Sequence, residues 1–228
     1  MKLPGPIQIL RARDRPAVAW KNGGGVTREI AAWPWGADLE AFDWRVSMAT
    51  VDTGGPFSNF PGVDRILTVL EGELTLRVDG RAPVTLSGAA APIAFAGDID
   101  VAAETPPRPV TDLNVMTRRG RDTARVERVS LAAPRSVAVS HWTIILCRSA
   151  KLSFALGEEA FEMALDDAVL VSGELLLRVT PPDDAPADLI AVHLQPTRSI
   201  IGALRGTALL QDDPVEPAAP WSDWTAAS

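Results

Sequence analysis

The chain has 228 residues, 46% of them apolar, and a formal net charge of −7. This is enough for one large β domain or two small ones with a substantial core, and a globally acidic surface argues against nucleic acid and anionic membranes as partners. No apolar run approaches the roughly 18 residues of a membrane span, and one cysteine with two histidines excludes an internal disulfide, a cysteine zinc cluster and a three-histidine metal site.

In chain order, "MKLPGPIQILRARDR" lacks the apolar stretch and small-residue cleavage site of a secretory signal, so a cytoplasmic protein is expected. Next comes "WKNGGGVTREI", Trp20 to Ile30. It matches neither a P-loop nor a dinucleotide-binding glycine pattern. "VTREIAAW" reads as a strand, so no helix N-terminus is there to cradle phosphate. Three consecutive glycines supply positive φ and close backbone approach. The run is either a plain tight turn or bulge, or a turn that aims Lys21 and Asn22 at a ligand, with Thr27 just beyond.

In "FDWRVSMATV" the period of two puts Phe42, Trp44, Val46 and Met48 on one face. Asp43, Arg45, Ser47 and Ala49 take the other. That second face holds a charge, a hydroxyl and a small residue, and it faces either bulk water or a cavity suited to a small anion. The loop "TGGPFSNFPGVDRIL" then presents Ser58, Asn59, Asp64 and Arg65 before an apolar strand. Asp64 and Arg65 either end the loop in water, or Arg65 points inward as a carboxylate fork, a role that suits its planar, permanently charged guanidinium.

The rest of the chain is a series of short apolar or alternating runs: "DRILTVLEG", "GELTLRVDG", "APVTLSG", "APIAFAGD", "TDLNVMT", "DDAVLVSG", "ELLLRVTPPDD" and "ADLIAVHLQP". Gly, Pro, Asp and Asn separate them. Many short strands between regular turn signals predict an antiparallel all-β sandwich or barrel. "GELTLRV" at Gly72–Val78 and "GELLLRV" at Gly173–Val179 differ at one position and lie 101 residues apart (173 against 72). They predict two copies of one hairpin unit at one-domain spacing. Between them, "TRRGRDTARVERV" (Thr117 to Val129) reads as a solvated linker leading into a strand, with no interleaved aromatics to stack bases. Cys147 in "WTIILC" reads as a buried, inert thiol. His141 and His193 read as packed or surface residues on strands. "DDPVEPAAPWSDWTAAS" reads as a loosely held tail pinned by Trp221 or Trp224.

Taken together, "WKNGGGVTREI", "FDWRVSMATV", "GPFSNFPGVDRIL" and "LEGELTL" resemble the HutD/Ves family of cupin-like proteins over about the first 120 residues. The second half matches in general pattern. The resemblance implies an RmlC-like jelly roll (the cupin double-stranded β-helix) duplicated into a bicupin, in a bacterial setting of histidine utilisation or, for the Ves branch, stress and cold response. Residues 1–120 would form the first cupin domain, 121–210 the second and 211–228 the tail. Metal-dependent cupins carry His-x-His and a Glu entering the barrel and a further His later. "FSNFPGVDRILTVLEGEL" and "APIAFAGDIDVAAE" contain no histidine, so no metal and no other cofactor is expected.

The candidate ligand-binding set is Lys21, Asn22, Thr27, Arg45, Ser47, Ser58, Asp64 and Arg65, rich in donors for a carboxylate, formyl or amide oxygen. The expected ligand is a small carboxylated metabolite of the urocanate, formylglutamate or formate class. The expected role is a metal-independent binding protein that modulates histidine utilisation, with room for a homodimer and with no nucleic acid or membrane partner. The alternatives are a metal-independent isomerase or hydrolase on such an acid, with Lys21, Asp64, Glu29 or Glu73 as the acid–base group, and a stress-related assembly protein with no turnover.

Overall fold

A computed structural model describes residues 7–139, 141–182 and 185–197. The expected tail, residues 211–228 with Trp221 and Trp224, lies outside them. The strands in the first half are β1 Ile7–Leu10, β2 Val18–Ala19, β3 Gly25–Trp33, β4 Trp44–Val51, β5 Gly55–Pro56, β6 Val63–Glu71, β7 Glu73–Val78, β8 Val84–Ser87, β9 Ile93–Ala96, β10 Val101–Ala103 and β11 Val110–Arg118. The second half has β12 Asp122–Leu131, β13 Arg135–Val139, β14 Trp142–Cys147, β15 Lys151–Leu156, β16 Glu159–Ala164, β17 Ala168–Ser172, β18 Leu175–Thr180 and β19 Ala187–Pro196. No helix among the described residues is long and apolar enough to cross a membrane.

The strands form four sheets, ordered β5-β10-β7-β8, β2-β3-β4-β11-β6-β9, β1-β17-β14-β19-β12 and β13-β18-β15-β16. Three apolar cores stack them in that sequence. Leu74, Leu76 and Val101 of the first sheet pack on Val51, Leu67 and Val69 of the second. Trp44, Val46 and Leu113, on the other side of the second sheet, pack on Ile144, Leu170 and Val192 of the third. Ile145, Val169 and Leu189 of the third pack on Leu152, Phe154 and Val179 of the fourth. The two central sheets are therefore buried on both faces. This is why β14 and β19 read as near-continuous apolar runs rather than as alternating ones.

The first two sheets make one jelly roll and the last two make another. The order β4-β11-β6-β9 opposite β5-β10-β7-β8 recurs, eight strands later, as β12-β19-β14-β17 opposite β13-β18-β15-β16. The period is close to 78 residues: β12 starts at 122 against 44 for β4, and β19 ends at 196 against 118 for β11. This corrects the reading of the "GELTLRV" and "GELLLRV" segments. The first is β7 and the second is β18, and these strands hold different positions: the counterpart of β7 is β15. The segments look alike because both need the same local device, a glycine at positive φ (Gly72 at 84°, Gly173 at 90°) between a buried strand and an alternating one.

Two further expectations change. "TRRGRDTARVERV" is not a linker: it is the end of β11, a turn at Gly120 (φ 81°) and most of β12. Residues 7–10, expected in the first domain, pair with β17 and extend the sheet of the second. Arg148 bridges the two jelly rolls, reaching Glu71 at 2.7 Å and also Asp166.

Candidate functional site

The inner face of the first jelly roll is polar on one side and apolar on the other. Register sets this. β4 places Arg45, Ser47 and Ala49 opposite Met116, Asn114 and Asp112 of β11. β11 in turn sets Met116, Asn114 and Asp112 beside Arg65, Leu67 and Val69 of β6. On the far side of β4, Thr27 and Glu29 of β3 pair with Ala49 and Ser47. Strand alternation then puts Thr27, Glu29, Arg45, Ser47, Arg65, Asp112 and Asn114 on one face. The opposing sheet offers only buried apolar residues, among them Leu74, Leu76, Val78, Leu86 and Val101.

Arg65 is the centre of this layer. It is 6% exposed, and its guanidinium carbon lies 5.1, 5.7 and 5.2 Å from the ring centroids of Phe57, Phe60 and Phe95. Its two hydrogen bonds are long: Nε donates to Asn114 Oδ1 at 3.4 Å, and Nη1 to the Ser58 carbonyl at 3.4 Å. Burial lowers its pKa to about 10, with Asp112 opposing that shift and Arg45 adding to it. Asp112 is 3% exposed. Burial raises its carboxyl to about 7 against the pull of Arg65. Among the described residues its carboxylate meets no hydrogen-bond donor. The expectation that Arg65 points inward matches this placement, but aromatic rings cover much of the fork. Sequence reasoning missed Asp112, Asn114 and the three phenylalanines. The available signal was "TDLNVMT", where polar residues alternate with Leu113 and Val115.

Arg45 lies beside this pair. Its Nε donates to Glu29 Oε2 at 2.7 Å and its Nη1 to Ser47 Oγ at 3.2 Å. Ser47 is fully buried, so this strand face looks into the barrel and not into water. Phe42 departs from the expected face: it joins Val63 and Met116, on the Arg65 side, because the chain enters β4 only at Trp44.

The glycine run closes one end of this barrel. Gly23 has φ 72°, and its N–H donates to the Trp20 carbonyl at 3.0 Å. The Trp20 indole donates to Thr27 Oγ1 at 2.8 Å. A Cβ on Gly25 would stand 2.3 Å from the Thr50 carbonyl oxygen and 3.2 Å from the Trp20 ring, so glycine is required there. Asn22 Oδ1 accepts from Gly24 N–H at 3.0 Å, an Asx-type turn. Lys21 is exposed at the tip of this turn. A small cavity of about 10 Å³, lined by Trp20, Asn22, Thr53, Gly54 and Phe57 among others, marks this mouth.

The remaining candidates lie elsewhere. Ser58 is exposed and contributes its carbonyl to Arg65. Asp64 lies on the opposite face of β6 from Arg65 and pairs with Arg119 at 2.9 Å. Glu73 is exposed on β7. Asp64, Arg65, Ile66, Ala94, Phe95, Thr117, Thr123 and Ala124 line a cleft of about 360 Å³ between the jelly rolls. It is larger than the mouth cavity and shares Arg65 and Phe95 with the barrel layer, so Arg65 borders both the barrel interior and this cleft.

In the second jelly roll, His193 Nε2 lies 3.9 Å from Glu127 Oε2, and Arg125 also contacts Glu127. Burial, reinforced by Arg125, lowers His193 to about 4. Cys147 is buried, and burial raises its thiol pKa, so it is poorly suited to act as a nucleophile. Among the described residues no group of three or more His, Cys, Asp or Glu side chains is arranged to hold a metal.

The HutD family model matches residues 12–185, three quarters of the chain and well past residue 120. The chain belongs to the HutD family. A Pseudomonas putida relative, a 21.2 kDa protein in the hutC 3′ region, is 32% identical over 169 residues, covering 73% of this chain and 87% of that protein. Protein Ves of Cronobacter sakazakii is 40% identical over 122 residues, 53% of this chain and 65% of Ves, so the match spans just under two thirds of that relative. Among solved structures, a conserved protein of unknown function from Pseudomonas aeruginosa has a TM-score of 0.75 at 31% identity, covering 82% of this chain and 98% of that one. HutD from Pseudomonas fluorescens, solved in a formate condition, has a TM-score of 0.68 at 30% identity, covering 83% and 99%. A cupin 2 barrel protein from Leptotrichia buccalis, with a TM-score of 0.54 at 8% identity over 78% and 92%, shares the fold alone. The architecture of this HutD-family chain is thus the cupin-like jelly roll, present twice.

Proposed function

We propose that the first jelly roll is a metal-independent, cytoplasmic binding site for a small carboxylated or formyl metabolite of the urocanate, formylglutamate or formate class, and that its occupancy modulates histidine utilisation. One observation carries this reading: a guanidinium 6% exposed whose hydrogen bonds are both 3.4 Å. A buried guanidinium with five donors and such weak acceptors has unused capacity for an anion, and charge-assisted bonds to a carboxylate would meet it. Arg45, Ser47 and Asn114 are the neighbouring polar groups. The hutC-region relative and the formate condition of the P. fluorescens structure support the metabolite class. The reading calls for no nucleic acid and no membrane.

The test is a thermal-shift and calorimetric screen of the purified chain against formate, formylglutamate and urocanate, with metal analysis of the same sample. Stabilisation by one of these acids without stoichiometric metal supports the binding site. Stoichiometric metal overturns the metal-independent reading. No shift leaves an assembly role for the chain.

A second reading, turnover of the same acid by an isomerase or hydrolase, is favoured by Asp112 alone. A buried carboxyl raised to about 7 suits general acid–base work at neutral pH. Conversion of the bound acid, followed by NMR of the mixture, separates turnover from binding.

A further inference from the structure

Charge in the polar layer of the first jelly roll is balanced. β3 contributes Glu29, β4 Arg45, β6 Arg65 and β11 Asp112. β7, β8 and β10 of the opposing sheet face this layer with apolar side chains, and β9 and the loop before β6 contribute Phe95, Phe57 and Phe60. Asn114, Ser47 and Thr27 are neutral. Two guanidiniums and two carboxylates sum to zero.

An anion entering this layer changes that sum to −1, in a space where a like-charged carboxylate is strongly disfavoured. Glu29 is half exposed, so water screens its charge, and it pairs with Arg45 at 2.7 Å. Asp112 is buried, has no hydrogen bond among the described residues, and its charge is coupled to that of Arg65 on the same sheet face. On the reading that this layer binds an acid, we propose that the site takes up its carboxylate ligand together with one proton, and that Asp112 is the group that receives it.

The step is an exchange of counter-ions. The ligand carboxylate takes over the balancing of the Arg65 charge from the Asp112 carboxylate. A proton from solvent attaches to an Asp112 carboxyl oxygen, and no covalent bond breaks. The neutral carboxyl then donates its O–H to the ligand. The raised pKa of Asp112 agrees with this placement, since burial already brings the proton within reach of neutral pH. Affinity is then flat where Asp112 is already protonated, and it falls about tenfold per pH unit above that range.

The test is calorimetry with formate and with formylglutamate, both fully ionised from pH 6 to 9, in two buffers of different ionisation heat. The wild-type chain should lose about tenfold in affinity per unit above neutral pH, with proton uptake rising towards one per ligand. Asp112→Asn should bind with an affinity that does not change over the same range. Affinity flat in pH with no proton uptake in the wild type would overturn this proposal and leave the binding site standing. The ligand-free chain gives an independent check: the Asp112 carboxyl carbon, assigned by its loss in Asp112→Asn, should titrate near neutrality by ¹³C NMR. Titration in the ordinary carboxylate range with formate bound overturns the proposal. If neither acid binds at any pH, the binding reading fails, and this inference fails with it.

Discussion

Arg65 and Asp112 stand on the paired strands β6 and β11, face the same interior and influence each other's charge, yet Arg65 spends its hydrogen bonds on Asn114 and the Ser58 carbonyl. Such a pair is poised. Each charge is tolerated because the other is present, and neither is fully satisfied. Removing one partner should expose the dependence. Arg65→Ala should cost about 3–5 kcal/mol of stability at pH 8, where Asp112 is left as an uncompensated buried charge. The loss should be smaller at pH 5, where Asp112 can be neutral. Urea denaturation at the two pH values checks this, and an equal loss at both would mean that Arg65 acts only through its packing on Phe57, Phe60 and Phe95.

Asp112 itself should make stability fall as pH rises. Its folded pKa, about 7, lies above the unfolded value near 3.8. The folded state therefore holds the proton more tightly, and the contribution is fully present below about pH 4 and is lost on approach to pH 7. Each unit of difference is about 1.4 kcal/mol, an upper limit for a group that can relax. Denaturation of the wild type and Asp112→Asn from pH 4 to 8 should show the variant gaining on the wild type towards high pH. A constant gap would show that Asp112 does not titrate in this window.

Much of this organisation is legible in the sequence. Turn spacing and short runs specify an all-β chain, and the alternation in "FDWRVSMATV" places Arg45 and Ser47 together on one face. The duplication is visible as architecture and not in the 101-residue sequence repeat. "GELTLRV" and "GELLLRV" reflect a shared glycine turn and not shared position, since strand identity in a jelly roll is set by pairing across long sequence separations. The same limit hid Asp112. It is one acid in an alternating strand, and only the register of β11 against β6 shows which face it shares with Arg65. Asp64 is the immediate neighbour of Arg65 in sequence, but the period of two sends it to the other side of β6, where it pairs with Arg119.

The glycine run should tolerate change unequally. Gly23 has open space around a missing Cβ and needs only its positive φ. Gly23→Asn should therefore cost a few tenths of a kcal/mol, within the roughly 1 kcal/mol that αL geometry usually demands of other residues. Gly25→Ala should cost about 1–3 kcal/mol, because its Cβ meets the Thr50 backbone and the Trp20 ring. The indole N–H resonance of Trp20, bonded to Thr27 in the wild type, should shift in Gly25→Ala and stay in Gly23→Asn. The reverse order would mean that the turn, and not the close approach, is what the run supplies.

His193 should act on acid stability. Its folded pKa, about 4, lies below the ordinary 6.5, through burial first and Arg125 second. The unfolded state therefore binds the proton first. The stability from the neutral imidazole is present above about pH 6.5 and is lost as pH falls towards 4. His193→Gln should flatten this acid limb in a urea titration. The ring-proton resonances of the wild type should remain those of neutral imidazole at pH 5.5. A resonance that moves through pH 6.5 would place His193 in a solvated setting.

Arg45 and Arg65 should contribute to binding in different ways. Arg45 already has a carboxylate, Glu29, at 2.7 Å, and that carboxylate is half exposed. A ligand anion that uses Arg45 must share it with Glu29 or displace Glu29. Arg45→Ala should then weaken formate binding tenfold or more, since a charge-assisted contact is worth roughly 1.5–3 kcal/mol. The fold should persist, because β4 stays anchored through Trp44 and Val46. Glu29→Gln should strengthen binding, because the competing charge is gone while a hydrogen-bonding group of similar shape remains. Calorimetric titration of formate into both variants decides between two roles. If Glu29→Gln weakens binding, the ion pair is a clamp that holds Arg45 in place for the ligand. If it strengthens binding, Glu29 is the occupant that the ligand displaces.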